Sequence, residues 1–197
     1  MGRLNAYTYK FNKERMKDKP KFSAEASELI QKIIKRYPDG KQKSAILPVL
    51  HIAQAEFEGW LSPATMDYVA SILKIQPVEV YEVASFYSMF NLKPVGKCVI
   101  EVCRTGPCWL LGAEDIVRYI EKKLSIKEGQ TTADGMFTLK TVECLASCGT
   151  APMMQVGEKY HENLTCDKVD SLLNDYKANT KEHISHWSKK HIQKTEI

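Results

Sequence analysis

Apolar residues recur at helical spacing through the first half of the chain, and short alternating or continuous apolar runs replace them in the second. Ala26, Leu29, Ile30, Ile33, Ile34 and Tyr37 lie on one face of a helix. Ser23 stands at its N-cap position and Glu25 in its first turn. Pro38-Asp39-Gly40 ends it. A second helix is predicted over about Ser44 to Phe57, with Ile46, Leu47, Leu50, Ala53 and Phe57 facing inward. Pro48 is tolerated there because it falls near the first turn. Ser62-Pro63 opens a third helix with Met66, Val69, Ala70 and Leu73 as its stripe. Gln76-Pro77 opens a fourth, expected to reach about Phe90. Its stripe is Val80, Val83, Ala84 and Tyr87. Phe86 and Phe90 add apolar surface, so two of its faces are expected to be buried.

The pattern changes near Asn91–Lys97. Strands are predicted over Lys97 to Cys103, Phe137 to Val142, Met153 to Val156 and Lys159 to His161. A helix is predicted from about Ala113 to Leu124. Another starts near Thr165 and carries Val169, Leu172, Leu173 and Tyr176. The order β-α-β-β-α fits a small α/β sandwich. Beyond Tyr176 the periodicity fails, and residues 177–197 read as a basic tail.

Composition changes little in this picture. The 197 residues are 44% apolar and 26% charged, with a net charge of +4. Much of the excess lies in the tail, where five Lys face two Glu. Charge alone therefore makes no case for nucleic acid or membrane binding. No apolar run approaches the roughly 18 residues of a membrane span, and the first ten residues show no signal-peptide pattern. A soluble intracellular protein, bacterial in character, is expected.

The chemistry is concentrated in the six cysteines. Cys103 and Cys108 are separated by four residues and Cys144 and Cys148 by three, with thirty-five between the pairs. Each pair follows a predicted strand. If these strands are parallel neighbours, both loops leave one end of the sheet, where open α/β folds place their chemistry. Four thiolates converging on one point are the ligand set of a [2Fe–2S] cluster. Arg104 and the start of the helix at Ala113 would supply positive potential, while Gly106 and Gly112 would admit close backbone approach. Structural zinc, disulfides and a thioredoxin-like dithiol at Cys103 and Cys108 compete with this reading. The gaps are wider than a zinc knuckle, nothing points to export, and the second pair is surplus to a dithiol. Cys98 and Cys166 are read as small buried residues. His51 is expected on an exposed helical face or as a satisfied polar group. His183, His186 and His191 form H-x2-H-x4-H in the tail without acidic or Cys support. No G-x-G-x-x-G or P-loop occurs, so a redox partner must bring any nucleotide.

The cysteine spacing with its flanks resembles the family of the 24 kDa [2Fe-2S] subunit of respiratory NADH:quinone oxidoreductase, complex I, whose bacterial members are the E subunits. The matching stretches are Leu47-Pro48-Val49-Leu50, Gly59-Trp60-Leu61, Val80-Tyr81-Glu82-Val83-Ala84-Ser85-Phe86-Tyr87 and Lys93-Pro94-Val95-Gly96-Lys97. Glu128-Gly129-Gln130-Thr131-Thr132, Asp134-Gly135, Val142-Glu143-Cys144-Leu145 and Ala151-Pro152-Met153 continue the match, which spans about Ser23 to Tyr176.

The resemblance implies an α+β architecture: an extension over 1–22, a helical bundle over 23–92, a thioredoxin-like [2Fe-2S] ferredoxin domain over 97–176, and the basic tail. It implies that Cys103, Cys108, Cys144 and Cys148 bind the [2Fe-2S] cluster. It also implies a partner subunit that binds NADH and FMN, with which this cluster exchanges single electrons. The chain would then be a non-autonomous subunit of an NADH dehydrogenase, with no complete active site of its own. It would sit peripherally on the cytoplasmic side of the bacterial inner membrane. Related modules occur in NAD-linked hydrogenases and formate dehydrogenases. The family usually has Gly-Ala where this chain has Ala146-Ser147, and Ser147 is placed to donate a hydrogen bond to a cluster sulfur. Pro152 stands where thioredoxin-like folds often place a cis-proline.

Overall fold

Ser23 caps the first helix, its Oγ accepting the Ala26 N–H at 3.2 Å. The computed structural model describes residues 20–184, so His186, His191 and most of the 1–22 extension lie outside it. Helix α1 spans Ala24–Ile34, and a 3-10 turn over Gln42–Ala45 leads into α2, Ile46–Glu56. Helix α3 spans Pro63–Leu73 and α4 spans Pro77–Phe86. Ser62 caps α3, with Pro63 inside its first turn. Gln76 and Glu79 form a reciprocal capping box on α4.

Helix α2 is the bundle's axis. Val49, Leu50, Ile52 and Ala53 are wholly buried, so the helix is enclosed on nearly every side. Each fully buried Leu or Ile contributes about 1.5–3 kcal/mol relative to exposure. His51 is also buried, its ring 5.0 Å from that of Phe90. This corrects the expectation of an exposed face for His51: its side of α2 packs into the core against Phe90.

Helix α4 ends four residues earlier than predicted. Tyr87 adopts an extended conformation, and the Phe90 N–H turns back to the Tyr87 carbonyl. Phe90 enters the core while Phe86 is 79% exposed, so only one of the two expected faces is buried. Gln54 fixes this exit. Its amide donates to the Met89 carbonyl at 3.0 Å, and its Oε1 accepts the Asn91 N–H at 2.7 Å.

The second core surrounds a four-stranded sheet in the order β2-β1-β3-β4. Strand β1 is Cys98–Cys103, β2 Phe137–Val142, β3 Met154–Val156 and β4 Lys159–His161. Strands β1 and β2 are parallel, registered from Cys98 opposite Phe137 to Cys103 opposite Val142. Strand β3 runs antiparallel to β1, and β4 to β3. Between β1 and β2 lie a one-turn helix α5, Pro107–Leu110, and α6, Ala113–Leu124. Helix α7, Cys166–Asn179, packs beside α6. Every residue of β1 is buried, as expected of a central strand covered on both faces.

Lys140 on β2 ties sheet to bundle. Its ammonium reaches Glu101 on β1 at 3.2 Å, the Ser88 carbonyl at 2.9 Å and Asn91 Oδ1 at 3.1 Å. Helix α7 runs three residues beyond the predicted end at Tyr176. The chain then returns so that the Ile184 N–H meets the Lys97 carbonyl. The Ala151–Pro152 bond is cis. No helix among the described residues is long and apolar enough to cross a membrane.

Candidate metal centre

The parallel pairing of β1 and β2 decides where the cysteines go. Both strands end at the same edge, at Cys103 and Val142. Cys103 is the last residue of β1, and Cys144 follows β2 by two residues. Cys108 lies in α5 and Cys148 opens a 3-10 turn over Cys148–Thr150. These short helices, not expected from the sequence, pack against each other. Thr105 bridges the two loops by donating to Glu143 at 2.9 Å.

Cys103 and Cys108 are buried, whereas Cys144 and Cys148 are exposed. Cys144 Sγ and Cys148 Sγ lie 3.9 Å apart, far from the roughly 2.05 Å of a disulfide. Two thiolates about 2.3 Å from one tetrahedral metal stand about 3.8 Å apart. The pair is therefore spaced for a shared metal atom. Burial pushes the Cys108 thiol up to about 11, and the neighbouring Cys103 adds to this. The Met153 N–H on its sulfur pulls the other way. The Cys148 thiol is raised first by its hydrogen bond with Cys144, and more weakly by charge on Cys103. The two pairs thus sense one another. Among the described residues, however, no three Cys, His, Asp or Glu already form a single metal-holding knot.

Backbone donors aim at the sulfurs. The Ala146 N–H lies 3.3 Å from Cys144 Sγ, and the Met153 N–H bonds Cys108. Ala146 has φ of +60° and Gly106 has φ of +42°. At Gly106 this left-handed geometry suits glycine, and a Cβ there would meet no heavy atom within 4 Å. Gly112 instead starts α6 as its left-handed N-cap.

Three expectations about the surroundings change. Arg104 does not stand as a free positive charge. It pairs with Glu114 at 3.1 Å and Glu128 at 3.6 Å, which offset it. Helix α6 places Glu114 and Asp115 in its first turn, so carboxylates already meet its positive end. Ser147 does not point its hydroxyl at a sulfur but donates to Glu162 at 2.5 Å. Thr150 donates to the same carboxylate oxygen at 2.7 Å, and these two bonds hold the Glu162 carboxyl below the usual range.

The remaining candidates are not gathered here. Cys98 is buried at the opposite end of β1, its Sγ 3.7 Å from Thr180 Oγ1. Cys166 is exposed at the start of α7, against expectation: the first turn of a helix has room to turn a small side chain outward. His183 lies beside Gly59 and Val95. The sequence reasoning missed the exposed run Trp109, Leu110 and Leu111 next to Cys108. Three apolar residues in a row beside a candidate ligand were its visible signal. It also missed Glu162, which nothing in the sequence connects to Cys148.

Comparisons with known proteins place this geometry in a family. The family model for the thioredoxin-like [2Fe-2S] ferredoxin matches residues 30–177. The NADH-quinone oxidoreductase E subunit of Rickettsia felis is 49% identical over 148 residues, covering 75% of this chain and 89% of the relative. That of Rickettsia prowazekii is 41% identical over 174 residues, covering 88% and 92%. The mitochondrial NADH dehydrogenase [ubiquinone] flavoprotein 2 of Dictyostelium discoideum is 42% identical over 158 residues, covering 80% and 64%. Among solved structures, an NAD+-reducing [NiFe]-hydrogenase in the air-oxidized state shares the fold, with a TM-score of 0.59 at 20% identity. The likeness covers 68% of this chain and 23% of the hydrogenase chain. With two parallel strands delivering two cysteine pairs to one edge, and relatives of this closeness, the chain belongs to the thioredoxin-like [2Fe-2S] ferredoxin family, in the group of NADH-quinone oxidoreductase E subunits.

Proposed function

We propose that this chain is the electron-transfer subunit of an NADH:quinone oxidoreductase. It carries a [2Fe–2S] cluster on Cys103, Cys108, Cys144 and Cys148, and exchanges single electrons with the FMN of an NADH-binding partner subunit. The supporting observation is the pairing itself. Two thiol pairs leave the same end of neighbouring parallel strands, the Cys144 and Cys148 sulfurs 3.9 Å apart and the Cys108 thiol in hydrogen-bond contact with Cys103. That arrangement suits two metal atoms, one per pair, better than a single zinc enclosed by all four.

When bound, the cluster supplies a one-electron carrier. The residues of this chain do the rest. Buried Cys103 and Cys108 anchor one side to the sheet, and Cys144 and Cys148 present the other towards solvent. The N–H groups of Ala146 and Met153 donate to sulfur and offset negative charge. Trp109, Leu110 and Leu111, exposed beside Cys108, offer an apolar rim to the partner. The protein sits peripherally, on the cytoplasmic side of the inner membrane. The close relatives favour quinone oxidoreductase over hydrogenase, whose likeness is one of fold.

Iron and acid-labile sulfide analysis with low-temperature EPR of the dithionite-reduced full chain tests this reading. About two of each per chain, with a reduced [2Fe–2S] signal, is the expected result. Zinc without sulfide, or four irons, would overturn it. Activity that needs only Cys103 and Cys108, with Cys144→Ser harmless, would make the chain a thiol oxidoreductase.

A further inference from the structure

The segment from Cys144 to Thr150 has only one 3-10 turn of regular structure, yet β4 and the turn after it hold it by four hydrogen bonds. Tyr160 Oη donates to the Leu145 carbonyl at 2.8 Å. Glu162 Oε1 accepts from Ser147 Oγ at 2.5 Å and from Thr150 Oγ1 at 2.7 Å. The Asn163 N–H donates to the Thr150 carbonyl at 2.7 Å. Glu162 is the only one of these residues whose side chain grips both sides of Cys148. Its own position is set by Lys168, whose ammonium meets the Glu162 carbonyl at 2.5 Å. Glu162 is half-buried, and fixing its rotamer costs side-chain entropy that the bonds from Ser147 and Thr150 offset.

We propose that Glu162 is a positioning residue for the iron–sulfur site. Its carboxylate pins the hydroxyls of Ser147 and Thr150, and so fixes the direction in which Cys144 and Cys148 present their sulfurs. This rests on the cluster reading given above. Glu162 touches no ligand sulfur and acts through the two hydroxyls. Partners that orient metal ligands are worth about 10–100-fold in metal affinity or activity. The carboxylate is also a fixed negative charge on the cluster's exposed side, and such a charge opposes addition of an electron.

Position and charge separate by substitution in the full chain. Glu162→Ala removes both. Glu162→Gln keeps an acceptor oxygen and removes the charge. Thr150→Val removes one donor and keeps the charge. With Glu162→Ala, cluster loss to a chelator is expected to speed up about tenfold, and the reduced EPR signal to broaden or change its g-values. Glu162→Gln should restore the retention and the line shape while making the cluster easier to reduce. Thr150→Val should fall between parent and Glu162→Ala in retention, with little change in potential. Parental loss rates and parental EPR in Glu162→Ala would overturn the proposal. So would failure of Glu162→Gln to recover the line shape.

Amide exchange of the cluster-free chain separates this from the cluster reading. If the parent holds no iron or sulfide, that reading falls. Faster exchange confined to Ala146–Thr150 in Glu162→Ala still supports the positioning role, and unchanged exchange rules it out. If Glu162→Ala fails to fold, Thr150→Val decides by the same exchange measurement.

Discussion

The four proposed ligand positions are not equivalent at the level of single residues. Cys108 is held under the sheet edge, while Cys148 is open to solvent. Serine at either position should abolish the reduced EPR signal, because each pair needs both thiolates. Cys166→Ser is the control. Its side chain is exposed at the start of α7, so iron content should stay parental and stability within about 0.5 kcal/mol. A gain of iron by the parent over Cys166→Ser would place Cys166 in the site. His161 gives a pH test outside the site. Burial, with help from Lys159 and Lys168, lowers its folded value below the ordinary 6.5. Its Nε2 lies 2.7 Å from Tyr176 Oη. A depressed value means that the unfolded chain takes up the proton first. Its contribution to stability is full above about 6.5 and is lost as pH falls through the folded value. Thermal melts between pH 7.5 and 5 should therefore show falling stability, flattened in His161→Gln. Equal slopes in both would exclude His161 as the source. The placement of the two cysteine pairs at one end of the sheet was legible, because each follows a strand pattern. Placement was illegible for Cys166, because a cysteine at a helix start is equally plausible turned in or out.

At the scale of elements, caps and strand periodicity carried most of the reading. Ser23, Ser62 and Thr165 stand where the helices begin, since each satisfies an otherwise free N–H. The end of α4 was hidden because Tyr87 to Phe90 continues the apolar pattern. A tertiary bond from Gln54 to Met89 breaks the helix there. Helix α5 was hidden because one turn leaves no period to read. The join between bundle and sheet was also invisible, since Lys140 and Glu101 look like solvent-facing charges in a strand. Glu101 is in fact 3% exposed. Lys140→Met should cost about 2 kcal/mol by chemical denaturation, from loss of hydrogen bonds to a charged group. An unchanged midpoint would remove Lys140 from the contact between bundle and sheet. Gly96 sits at the same join, where its N–H donates to Thr138 Oγ1 at 2.7 Å. A Cβ there would lie 2.9 Å from backbone atoms of Met136 and Phe137. Gly96→Ala should therefore cost about 2 kcal/mol by overpacking, and a neutral result would mean that the 135–137 turn yields freely.

At the scale of the whole molecule, one surface is out of keeping with a free-standing protein. Trp109, Leu110 and Leu111 are 60%, 74% and 59% exposed. They follow directly on Cys108, and α5 packs on the Cys148 turn. Half-exposed Tyr160, bonded to the Leu145 carbonyl, adds an aromatic edge to the same region. Tryptophan and tyrosine at a desolvated contact are the residue types that dominate binding energy. A redox group carried by a partner that covers them would come close to the proposed cluster site. If the proposed flavin-binding partner seats here, Trp109→Ala should weaken its association by about 2 kcal/mol, or roughly thirtyfold in Kd. Iron, sulfide and the EPR signal of the isolated chain should stay parental, because the exposed indole is no part of the core that holds Cys108. Co-expression with the flavoprotein partner followed by gel filtration reads the first effect, and EPR of the separated chain reads the second. Parental association in Trp109→Ala and in Leu110→Asp would mean that the partner docks elsewhere. Loss of the cluster in Trp109→Ala would mean that the exposed run supports the metal site rather than the interface.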